Sequence, residues 1–82
     1  MVTGDIADFS SIGNRLRNVR AWHGQTIDLP GITAEQFAGL LGTRPSAYAA
    51  YERDERDPPA FFLASLRAKT SVDLNWLCCG DD

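Results

Sequence analysis

Few side chains in this sequence could carry chemistry. His23 is the only histidine, Cys78 and Cys79 are adjacent, and Asp54, Glu55 and Asp57 fall within four positions. Acid–base catalysis needs a titratable group held by an orienting partner, and a zinc centre needs four ligands at workable spacings. His23 stands at an expected helix end with no such neighbours, and reads as a surface residue. Adjacent cysteines cannot staple distant parts of a chain. Cys78 and Cys79 therefore read as apolar residues of a last helix, with a thiol contact between two copies as the alternative. The carboxylates at 54 to 57 lack calcium-loop spacing and read as a solvated turn. No catalytic residue, metal ligand or cofactor is expected. What remains is charge and hydrogen bonding: Arg44 and Arg53 bracket one segment, Arg56 follows it, and Gln36 precedes it.

The element that must position these groups spans residues 33 to 53. Thr33 can accept a backbone N–H while Gln36 reaches back to it, and Ile32 and Phe37 stand where a hydrophobic staple clasps a helix start. The spacing predicts a helix from Thr33 through Phe37, Ala38 and Leu41, stopped at Gly42, which takes a left-handed turn without strain. A second helix follows with Pro45 at its first position, and Tyr48 and Tyr51 share one face of it. Ala38 is small enough to let the second helix cross closely over the first. Two helices meeting through a short Gly-containing turn form a helix-turn-helix.

The rest of the chain supplies supporting helices. One is expected from a Ser10 or Ser11 cap to Gly24, with Ile12, Leu16 and Val19 on its core stripe and Arg15, Arg17 and Asn18 on other faces. Trp22 near its end is expected over the core edge. Residues 25 to 32 read as an ordered flap, most simply a tolerated insertion between helices 1 and 2 and alternatively a contact for a partner, with Ile27, Leu29 and Ile32 too apolar for a free linker and Pro30-Gly31 marking a turn. A fourth helix is expected from Pro58 or Pro59, capped by Asp57, with Phe62 and Leu66 facing inward and Phe61 and Leu63 beside them. A fifth, capped by Asp73, carries Leu74, Trp76 and Leu77.

A length of 82 residues allows one domain, taken as 1 to 82 with a flexible 1 to 8, and leaves no room for a catalytic cleft of its own. The first residues lack the basic start and apolar run of a signal peptide, and no stretch is a membrane span, so a cytoplasmic location is expected. The net charge of −3 argues mildly against nucleic acid. Asp5, Asp8, Asp81 and Asp82 lie near the ends, however, and without them seven acids face eight bases. Any nucleic-acid contact would rest on a local basic face.

Taken together, the sequence resembles the Cro/cI-type, lambda-repressor-like (XRE) helix-turn-helix regulators. The resemblance rests on Phe37, Ala38, Leu41, Gly42, Tyr48 and Tyr51, on Arg15-Leu16 and Arg20, on Tyr51-Glu52-Arg53, on Pro58, and on Asp73 through Leu77 with Gly80. It implies an all-α, compact five-helix fold with the helix-turn-helix at helices 2 and 3. It also implies a DNA-binding transcriptional regulator, most simply a repressor of phage or mobile-element type acting as a homodimer paired through its C-terminal helix region. By position, the face turned to the major groove of double-stranded DNA comprises Arg44, Pro45, Ser46, Ala49, Ala50 and Arg53, with Arg44, Arg53, Arg56 and Gln36 as phosphate contacts and Arg17 a weaker candidate. Positions 45, 49 and 50 hold no bidentate base reader, so direct readout should be thin and DNA shape correspondingly important. The family's usual phosphate-binding Gln is replaced by Ala34. Arg20 and Glu52 match its internal ion pair, and are expected to hold the fold rather than DNA. The alternative from another functional class is a helix-turn-helix scaffold used as a protein-interaction module, antirepressor or antitoxin-like, with weak or no operator binding.

Overall fold

Helix-start signals in the sequence correspond to five helices in the computed structural model, which describes residues 11–79: α1 (Ile12–Thr26), α2 (Ala34–Leu41), α3 (Pro45–Glu52), α4 (Ala60–Thr70) and α5 (Leu74–Cys79). The described residues form no strand, and no helix among them is long and apolar enough to cross a membrane. The expectations for residues 1 to 8, for Ser10 as a cap and for Gly80 lie outside the described residues.

The starts are built as local chemistry requires. Ser11 Oγ accepts from the Asn14 N–H at 3.1 Å, capping α1. At α2 the box is reciprocal: Thr33 Oγ1 accepts from the Gln36 N–H at 3.0 Å while Gln36 Oε1 accepts from the Thr33 N–H at 2.9 Å. Ile32 and Phe37, the two halves of the staple, are both buried. Pro45 opens α3, where a missing N–H costs no hydrogen bond. Asp73 Oδ1 accepts from the Asn75 N–H at 2.9 Å at the start of α5.

Helix ends depart more from expectation. Gly42 does close α2 at φ 70°, its N–H reaching the Gly39 carbonyl at 3.2 Å and the Thr43 N–H reaching Ala38 at 2.9 Å, a Schellman closure. The first helix, however, does not stop at Gly24. It continues to Thr26 and is closed by Asp28 at φ 65°, with the Leu29 N–H bonded back to the Gly24 carbonyl at 2.7 Å. Gly24 is there for space, since a Cβ would lie 2.6 Å from Ile32 Cγ2 and 2.7 Å from the Leu29 carbonyl oxygen. The connection to α2 is thus shorter than the 25 to 32 insertion expected, and its Ile32 is buried while Ile27 and Leu29 stay partly exposed. Asp54 closes α3 in the same manner at φ 60°.

Helix α4 begins later than expected, at Ala60, and Asp57 does not cap it. Pro59 forces the residue before it out of the helical region, and its own ψ of 165° is extended, so the helix cannot start until the next residue.

Leu16, Val19, Ile32, Phe37, Ala38, Leu41, Tyr48, Tyr51, Phe62, Leu66 and Leu77 form the core. An aromatic run crosses it: the Phe37 and Tyr48 rings meet edge-on at 5.6 Å, Tyr48 lies 5.9 Å from Phe62, and Phe62 lies 4.8 Å from Tyr51. Helix α3 packs against both α2 and α1, α4 against α2, and α5 against α1. Arg15, Phe61 and His23 sit differently from the expectation. Arg15 is buried rather than on an outer face, and donates to the Leu77 carbonyl at 2.8 Å, holding the end of α5. Phe61 is 72% exposed, because the inward stripe of α4 runs through Phe62 and Leu66. His23 is half-buried, its ring 5.9 Å from that of Phe37, rather than a free surface group.

Candidate nucleic-acid interface

The face of α3 that points away from the core is set by helical spacing. Tyr48, Tyr51 and Glu52 turn inward, which leaves Pro45, Ser46 and Arg53 exposed and Ala49 half-buried on the opposite side. Arg44, immediately before α3, is exposed, with no ion pair to any described residue. Ala50 corrects the sequence expectation: it is only 7% exposed, because the chain folds back at the end of α3 and the Glu55 N–H bonds the Ala50 carbonyl at 2.9 Å. It belongs to the packed side and offers no methyl to a ligand.

Beside this face lies a cleft of about 360 Å³ lined by Gly42, Thr43, Arg44, Ala47, Tyr51, Arg56 and Phe61. It brings together two of the predicted cations, Arg44 and Arg56, the second with its guanidinium 5.9 Å over the Tyr51 ring. Thr43, Ala47 and Phe61 were not among the predicted site residues. Thr43 lies in the turn between the two helices and Phe61 is an exposed aromatic at a helix start, which are the signals that point to them.

The other predicted contacts are partly engaged within the chain. The Oε1 of Gln36 accepts from Thr33, so only its amide N–H₂ remains to donate outward. Arg53 forms a two-pronged pair with Glu55, Nε to Oε2 and Nη2 to Oε1, both at 3.0 Å. Arg17 donates to Asn14 at 2.9 Å on the surface of α1.

Behind the face sits the polar network that fixes α3 in place. Arg20 Nε donates to Glu52 Oε2 at 2.8 Å and its Nη2 to Oε1 at 3.1 Å, and a further donation reaches the Ile32 carbonyl at 2.8 Å. The Tyr48 hydroxyl donates to the same Glu52 carboxylate in a short hydrogen bond. Burial, then the adjacent Glu52 charge, push the Tyr48 phenol far above its usual range, so it remains a donor. The hydrogen bond to Glu52 likewise raises the Arg20 guanidinium. At the C-terminal end of α3, Asp54 Oδ1 accepts from the Gly13 N–H at 2.9 Å, placing a carboxylate at the positive end of α1.

A Cro/cI-type helix-turn-helix family model matches residues 28–77. The chain belongs to that helix-turn-helix family. Neither the curated proteins nor the solved structures gave a match. The matched stretch covers α2 through most of α5, so the exposed edge of α3 and the Arg44–Arg56 cleft both lie inside the helix-turn-helix match. The family is one of DNA-binding regulators, not of enzymes. Among the described residues no cluster of histidine, cysteine and carboxylates could hold a metal ion.

In this helix-turn-helix protein a second groove of about 370 Å³, between α1 and the α5 region, is lined by Asn18, Val19, Trp22, Val72 and Trp76. Trp22 is 54% exposed there, so it forms a wall of an open groove rather than a lid over the core edge.

Proposed function

We propose that this protein is a sequence-selective transcriptional repressor of phage or mobile-element type. As a homodimer it binds a pseudo-palindromic operator at the nucleoid, with two α3 helices in successive major grooves about 34 Å apart. The observation that carries the reading is the free leading edge of α3: Arg44, Pro45 and Ser46 project from the surface while the helix behind them is anchored by the Arg20–Glu52–Tyr48 network. Arg44 and Ser46 supply base contacts. Arg56, Arg53 and the Gln36 amide supply phosphate contacts, and Ala49 touches thymine methyls. With so few bidentate readers, DNA shape contributes much of the selectivity. Pairing of two copies uses the region around α5, where the Trp22–Val72 groove offers apolar surface. Repression follows from steric exclusion of polymerase.

Selection of bound sites from a random duplex pool tests this: a pseudo-palindrome with half-sites one helical turn apart supports it, and a pool that never enriches contradicts it. On the selected site, Arg44→Ala should weaken binding by about 1 to 3 kcal/mol and relax selectivity at the base pair it reads.

The alternative use of the scaffold, as an antirepressor or antitoxin-like protein-interaction module, is favoured by the partial exposure of Ile27 and Leu29 beside α1. Recovery of a stoichiometric protein partner, with Arg44→Ala leaving that capture intact, would select it.

A further inference from the structure

The three arginines around α3 are not equivalent. Arg44 has no ion-pair partner among the described residues, and Arg56 lies over the Tyr51 ring. Arg53 alone is gripped by a carboxylate, through both oxygens of Glu55. That grip is built by the backbone as well as by charge. The closure at Asp54, with the Glu55 N–H bonded to the Ala50 carbonyl at 2.9 Å, fixes Glu55 just beyond the end of α3, two residues from Arg53. Both side chains are more than half exposed, so an incoming anion reaches Arg53 without any rearrangement of the core. A carboxylate that engages a guanidinium through two oxygens offers the geometry that a phosphate group would offer.

Resting on the DNA-binding reading above, we infer that Glu55 is an internal competitor for phosphate. It occupies Arg53 in the free protein, so that a duplex must displace it before Arg53 can contact the backbone. The consequence is lower affinity for DNA of any sequence, while contacts made by Arg44 and Ser46 at base edges are untouched. Because a phosphate contact is made to specific and sequence-independent duplexes alike, the competition lowers overall affinity and leaves the ratio between them unchanged. Mutual stabilisation raises the Arg53 guanidinium and lowers the Glu55 carboxyl, which keeps both charged around neutral pH.

The test is a titration of wild type, Glu55→Gln and Arg53→Gln/Glu55→Gln on a random-sequence duplex and on the selected site, at 50 and 200 mM salt. Freeing Arg53 adds one phosphate contact, which steepens the log–log salt slope by about 0.9. The advantage of Glu55→Gln over wild type should therefore grow roughly threefold on going from 200 to 50 mM salt. The gain should be about equal on the random-sequence duplex and on the selected site, and the double variant should lose it. If the wild type binds and Glu55→Gln leaves slope and affinity unchanged, the competitor role is wrong while the DNA reading stands. An equal gain in the double variant would also overturn it, since Glu55 would then act by repelling DNA rather than by holding Arg53. If no protein forms a duplex complex even at 50 mM salt, the DNA reading itself fails and the competitor role falls with it.

Discussion

Arg20→Met is expected to lower the free energy of unfolding by about 3 to 5 kcal/mol. Of the two charges in the pair, Glu52 is the more deeply placed, with its side chain 7% exposed against 23% for Arg20. Without Arg20, its carboxylate keeps the Tyr48 hydroxyl and a distant Arg17 at 3.9 Å, too little to offset a buried charge. The Ile32 carbonyl loses its donor as well, which loosens the connection leading into α2. A domain of this size is held by only about 4 to 12 kcal/mol, so the variant should be close to its unfolding threshold at room temperature. Denaturant unfolding measures the loss. Combining Arg20→Met with Glu52→Leu and Tyr48→Phe removes the whole polar group, and should recover most of the lost stability. A single-variant loss below about 1 kcal/mol would mean that the pair is ornamental, as most solvent-exposed pairs are.

The second large effect is expected at Gly13. A Cβ there would lie 2.2 Å from the Glu52 carbonyl oxygen and 2.7 Å from Asp54 Oδ2. The nearer obstacle is backbone, so α1 would have to move away from the end of α3. Gly13→Ala should therefore cost about 3 kcal/mol, the upper part of the range for overpacking, despite the better helix propensity of alanine. Gly39→Ala is the control, because nothing lies within 4 Å of its Cβ. That variant should gain about 0.5 to 1 kcal/mol from propensity alone. Opposite signs for the same substitution, read from paired denaturation curves, would establish that contact at Gly13 matters and not glycine content.

The uneven legibility of this fold in its sequence has physical causes. Where a signal was local and used the usual residue types, the structure follows it: the Thr33–Gln36 capping box, Gly42 in the turn, Pro45 at the start of α3 and the Tyr48–Tyr51 stripe. Three other closures use Asp28, Asp54 and Ser71 at positive φ, a role more often given to glycine. Asp54 is stabilised there because its carboxylate also bonds the Gly13 N–H, 41 positions away in sequence, which no local pattern reveals. Gly24, the glycine that resembled a terminator, serves instead to admit Ile32 and Leu29. Arg15 was legible in principle, since positions 12, 15, 16 and 19 share one helical stripe; its charge argued for the surface, and the Leu77 carbonyl that accepts from its Nη1 lies 62 positions on. At the candidate site, carry-over by position from the family placed Pro45, Ser46 and Arg53 outside, and all three are exposed. It failed for Ala50, because the returning loop covers a position that the helix alone would leave open. The Arg53–Glu55 grip was equally hidden, since two residues in a turn can face the same way or opposite ways depending on a closure that rests on Asp54.

The central claim is that the free edge of α3 enters a major groove and reads it. Titrating the protein onto its selected duplex and onto a scrambled duplex of equal length, at 50 and 200 mM salt, tests that claim most directly. The account predicts a selected complex well below micromolar protein, weakening with salt at a slope near −0.9 per phosphate contacted and tighter than the scrambled complex at both salts. Equal affinity for the two duplexes, or no complex below micromolar protein, would contradict it.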